Sequence, residues 1–124
     1  MHAERSNTMK VLMVEPMKPP RVAEIPHTLE SMQKAVGGYI EVTYPWRDSI
    51  ALVCDDEVVL KNKPFNRMVS RTTGIFGTFF LCGIDRDDLS DIPDDLIDKY
   101  VRLLYEPQIL IKTRKGFIVL PLAE

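Results

Sequence analysis

The chain has 124 residues, 45% hydrophobic and 27% charged, with net charge −2 and a pI near 5.7, the make-up of one ordinary folded domain that can bury a core without disulfides or metals. The slightly acidic balance excludes the general attraction to phosphate backbones and anionic lipid on which basic proteins rely, so nucleic acid is not an expected partner. No segment approaches the roughly 20 apolar residues of a membrane span, and the N-terminus lacks the apolar run of a signal peptide, which makes the bacterial cytoplasm the expected location.

Residues 1–8 are read as an N-terminal extension, disordered or placed ahead of a second start at Met9, and residues 9–124 as a single domain. Residues 10–15 form a short apolar run closed by Pro16, and Pro19-Pro20 turns the chain into a second extended run over 21–25, a hairpin. An amphipathic helix follows over 28–36, with Thr28 as N-cap, Leu29, Met32, Ala35 and Val36 on one stripe, and Gly37-Gly38 as the stop. Residues 39–44 alternate as a strand that ends at Pro45, with Ile40, Val42 and Tyr44 on one face. Runs over 50–54 and 58–60 flank the acidic turn Asp55-Asp56-Glu57 and predict a second hairpin.

Residues 61–74 show no period and read as an irregular loop with one helical turn at 65–69. Residues 75–84 are almost continuously apolar, as in a central strand covered on both faces. Asp91 and Pro93 open a last helix over 94–104, whose stripe is Leu96, Ile97, Tyr100, Val101 and Leu104. Runs over 108–112 and 117–120 around Thr113-Arg114-Lys115-Gly116 predict a C-terminal hairpin within 106–124. The sum is an α+β fold, a mostly antiparallel sheet with two helices packed against it.

Chemistry is sparse along this chain. His27 is the only histidine inside the domain and stands beside Pro26 at a helix start, so it belongs to no catalytic triad. There is no CxxC and no HExxH, and the aspartates between 85 and 98 lack the glycine and distal glutamate of a calcium loop. Gly37-Gly38 follows a helix instead of opening one, the wrong order for a phosphate cradle. Cys54 and Cys82 lie inside apolar runs, where a reduced thiol packs as a small hydrophobe. No catalytic residue, metal or cofactor is therefore expected.

The candidate ligand-binding set is Asn66, Arg67, Glu41, Arg71 and Trp46. Arg67 and Arg71 with Lys61 and Lys63 make a local basic segment, and guanidinium groups suit phosphates and carboxylates. Glu41 is a strand carboxylate that could pair an arginine or exchange a proton, and Trp46, between Pro45 and Arg47, is the best candidate for an exposed aromatic anchor.

Several strings also resemble a known family. Residues 10–16, the segment Ala35-Val36-Gly37-Gly38-Tyr39-Ile40-Glu41 with Tyr44-Pro45, Leu52-Val53-Cys54-Asp55 with Glu57, Pro64-Phe65-Asn66-Arg67 and residues 77–83 look like the DUF3846 family of uncharacterised proteins from bacteria and their phages. The resemblance runs from about Met9 to about Leu104 and leaves the C-terminal hairpin outside it. It implies an accessory gene of a phage or mobile element and raises Glu41, Asn66 and Arg67 above their surroundings. The expected function is a non-enzymatic binding protein for a small anionic or nucleotide-like ligand, counteracting host functions. The alternatives are an adaptor or inhibitor of a host enzyme acting through the C-terminal hairpin edge and the Trp46 loop, and a small hydrolase with Glu41 as base and Arg67 as charge stabiliser. An unpaired hairpin edge also makes a homodimer an open expectation.

Overall fold

The computed structural model describes residues 7–56 and 62–122, and they form ten strands and two helices. A six-stranded antiparallel sheet carries the domain. Its main path runs β2 (Arg21–Pro26), β1 (Thr8–Val14), β7 (Phe79–Asp85), β4 (Ile50–Asp55), β3 (Ile40–Thr43), and the short β8 (Asp88–Ser90) pairs with β7. Two further hairpins stand apart from it: β5 (Phe65–Met68) with β6 (Gly74–Phe76), and β9 (Gln108–Thr113) with β10 (Gly116–Pro121). The fold is thus α+β and antiparallel as expected, but richer in strands.

Side-chain alternation along the three central strands divides the core in two. Leu12 and Val14, Phe79 and Leu81, and Ile50, Leu52 and Cys54 point to one face, where they meet Tyr100 and Leu104 from the second helix, α2 (Asp94–Leu103), together with Val69 and Ile75 from the β5–β6 hairpin. Val11 and Met13, Phe80 and Cys82, and Ala51 and Val53 point to the other, where α1 (Leu29–Val36) contributes Met32 and Val36. Strand β7, between β1 and β4, is buried on both faces, which is why its run of apolar residues does not alternate with polar ones.

The caps of α1 are those its sequence implies. Thr28 Oγ1 accepts from the Ser31 amide at 3.1 Å, and Gly37, at φ +82°, turns the chain out of the helix. Leu29 departs from the expected stripe: it is 57% exposed in the first turn, while Met32 and Val36 reach the sheet. In α2 the whole expected stripe faces the core. Among the described residues, no helix is long and apolar enough to cross a membrane.

Three expectations change, and a fourth falls outside the described residues. Residues 61–74 are not an irregular loop with a helical turn: 65–68 form β5, which pairs with β6 through a bulge between Phe65 and Arg67. The run over 75–84 is two strands, because Gly77, at φ +77°, breaks it and sends 74–76 back onto β5. The strand at 58–60, and with it the second hairpin, lies outside the described residues; β4 is flanked by β3 and β7. At the N-terminal end the fold begins before Met9, since Thr8 pairs with Pro26 and the Asn7 carbonyl accepts from the His27 amide.

Candidate binding cleft

Strand β3 is an edge strand, and its register with β4 puts Glu41 opposite Cys54 and Thr43 opposite Leu52. Those residues share the face that carries α2, but at the edge no helix residue lines the opening beside them. The β5–β6 hairpin closes the far side instead, leaving a cleft of about 480 Å³ between the end of the β3–β4 pair and the strand β6. Its walls are Thr43, Tyr44 and Pro45 on one side and Thr73, Ile75 and Phe76 on the other, with Cys54 between them. Such a volume lies within the roughly 300–1,000 Å³ that small-molecule sites occupy.

The cleft is electronegative. Glu41 and Asp56 stand exposed at its rim, Asp55 lies in the wall, and among the described residues no lysine or arginine lines it. The Asp55 carboxylate, fully buried, meets Lys63 Nζ at 2.7 Å, and the same ammonium donates to the Val36 carbonyl at 2.5 Å, so this charge is balanced behind the wall and ties the end of α1 to the end of β4. Burial, and then the carboxylates of Glu41, Asp55 and Asp56, push the Cys54 thiol up to about 11, which leaves it protonated and a poor nucleophile at neutral pH. Among the described residues, no three of His, Cys, Asp and Glu converge as a metal site.

Of the five residues picked from the sequence, only Glu41 lines this cleft. Asn66 and Arg67 are buried to 0% and 1% exposure. Asn66 Nδ2 donates to the carbonyls of Val14 (3.0 Å) and Gly77 (2.8 Å), and its Oδ1 accepts from Arg67 Nε at 2.8 Å. The Arg67 guanidinium also donates to the carbonyls of Leu104, Lys18 and Glu15, the last at 3.1 Å, and burial lowers its pKa to about 10. A guanidinium spent on four protein acceptors has no face to offer an anion, so this pair is a clamp joining β1, β5 and the end of α2.

Trp46 is not an exposed anchor. Its ring packs on Tyr100 with centroids 4.8 Å apart, and Nε1 donates to the Val69 carbonyl at 3.1 Å. Arg71 stands exposed in the turn of the β5–β6 hairpin, two residues before Thr73, and does not line the cleft. The residues that sequence reasoning missed here are Thr43, Thr73 and Phe76, which come from distant segments; the one available signal was the acidic pair Asp55-Asp56, read only as a turn.

A family model described as Domain of unknown function (DUF3846) matches residues 9–105, most of the chain. No curated protein and no solved structure matches it.

Proposed function

Starting from a chain that belongs to the DUF3846 family, we propose that it is a non-enzymatic binding protein whose ligand site is the cleft between β3–β4 and β6, and that the ligand is a small organic molecule bearing a positive charge. The observation that carries this reading is the lining: apolar and aromatic walls from Tyr44, Ile75 and Phe76, hydroxyls from Thr43 and Thr73, and the rim carboxylates Glu41 and Asp56 with no lining cation among the described residues. Carboxylates with aromatic surface favour an ammonium or guanidinium group, by ion pairing and by the attraction of a cation to a ring face. The anionic ligand expected from Asn66 and Arg67 finds no counter-charge among the described residues that line this cleft.

The hydrolase alternative needed Arg67 beside Glu41, and Arg67 is committed inside the core. Cys54, the one thiol at the cleft, is held protonated. The adaptor alternative loses its Trp46 contact for the same kind of reason, and draws on a separate surface, the C-terminal hairpin.

The test is a titration of the ¹⁵N-labelled protein with spermidine, choline and guanidinium against ATP and inorganic phosphate. A cation is expected to shift the amides of Thr43, Tyr44, Thr73 and Ile75, and the paired change Glu41→Gln with Asp56→Asn to weaken it by about tenfold or more. Saturable binding by ATP or phosphate in the cleft, or silence of the cleft amides to all the cations, would overturn the reading.

A further inference from the structure

The β9–β10 hairpin lies beyond the segment matched by the family model, which ends at residue 105, and none of its residues is among the buried core. Its register sorts its side chains into two faces. Gln108, Leu110 and Val119 are half-buried on the first, and Gln108 Oε1 accepts from the Met68 amide at 2.8 Å, which seats that face on β5. The second face is a cross-strand block of four aliphatic residues, Ile109 opposite Leu120 and Ile111 opposite Ile118. It carries no charge, and three of the four are 37–46% exposed. A two-stranded hairpin is marginal in water by itself, and an open aliphatic face of this kind needs a cover.

Charge along the hairpin indicates what covers it. Residues 107–122 hold three cations, Lys112, Arg114 and Lys115, and no carboxylate, in a chain whose net charge is −2. The cations sit at the turn end, and the exposed Glu106 stands at the opposite end, one strand length away. Two such hairpins stacked in parallel would set turn cations against turn cations. Stacked antiparallel, about a two-fold axis lying across the strands, each turn lies over the base of the other, where Arg114 and Lys115 of one copy meet Glu106 of its partner.

We infer that the aliphatic face of β9–β10 is the interface of a two-fold homodimer, in which the Ile109, Ile111, Ile118 and Leu120 faces of two copies stack antiparallel with their turn cations over each other's Glu106. A flat, uncharged aliphatic block is complementary to itself, which an isologous contact demands, and the end charges fix its direction. The surface is separate from the cleft, so the inference stands whether or not the cleft binds a cation.

Sedimentation velocity on the full chain, from low micromolar to about 100 µM, a range that brackets ordinary dimer affinities, reads the outcome directly. A dimer is expected, with Ile118→Glu monomeric across that range and its circular dichroism unchanged, because Ile118 lies outside the core. Arg114→Glu with Lys115→Glu is expected to weaken the dimer by about tenfold, and adding Glu106→Lys to that pair to recover it. A wild-type chain that stays monomeric at the highest concentration overturns the inference, whether or not it then captures another protein or a lipid vesicle. So does a dimer that survives Ile118→Glu, or charge reversals whose loss Glu106→Lys does not recover.

Discussion

At the scale of single residues the most consequential side chain is Arg67. It is fully buried with no carboxylate partner among the described residues, and its charge is held by carbonyl oxygens and the Asn66 amide oxygen. Truncation removes a guanidinium and also orphans acceptors from three separate segments. Arg67→Ala is expected to cost about 3–5 kcal/mol in urea denaturation, whereas loss of a solvated loop arginine would cost well under 1 kcal/mol. Arg67→Lys recovers little, since one ammonium cannot span a set that a planar fork reaches. The two thiols supply a pH prediction. Burial first of all pushes Cys54 up to about 11 and Cys82 up to about 12, from an ordinary 9.0. Below pH 9 both states keep the proton and stability is unaffected; as pH rises from 9 toward 11 the unfolded chain releases protons that the folded chain retains, so unfolding gains. Replacing both cysteines by alanine is expected to flatten the fall of the thermal midpoint over that alkaline interval, read by calorimetry against the parent.

At the scale of elements, legibility followed periodicity. The capped helix α1, the stripe of α2 and the C-terminal hairpin each carry a repeating apolar pattern with turn residues in the right places, and each lies where its pattern put it. The β5–β6 hairpin carries no such pattern, because two adjacent polar residues, Asn66 and Arg67, are both buried and satisfied by backbone carbonyls. No hydrophobicity count registers a polar side chain whose partners come from other elements. The same blindness hid the cleft: Glu41 was visible as a strand carboxylate, but the walls opposite it come from residues 73–76, whose approach depends on the kink at Gly77. A second close approach is tested more simply. A Cβ on Gly83 of β7 would stand 2.2 Å from the Asp91 carbonyl oxygen, in a segment whose neighbour Ile92 hydrogen-bonds the Lys10 carbonyl. Gly83→Ala is therefore expected to destabilise the domain by about 2 kcal/mol or more, with the loss read as a lower urea midpoint at unchanged slope.

At the scale of the whole molecule the sheet is two hairpins joined by one late strand. Strands β1 and β2 pair with each other, as do β3 and β4, and all four precede residue 56; β7, which bonds β1 on one side and β4 on the other, begins only at Phe79. Rows such as Leu12, Leu81 and Leu52 run across the sheet only when it is in place. Synthesis proceeds from the N-terminus, so both hairpins are made, and leave the ribosome, before the strand that unites them. Each hairpin then presents an apolar edge to the cell with nothing yet to fill it. The domain cannot fold progressively as it emerges; it waits and then closes around β7, which makes the interval between the emergence of residue 56 and that of residue 85 the one when this protein most depends on protection from its neighbours.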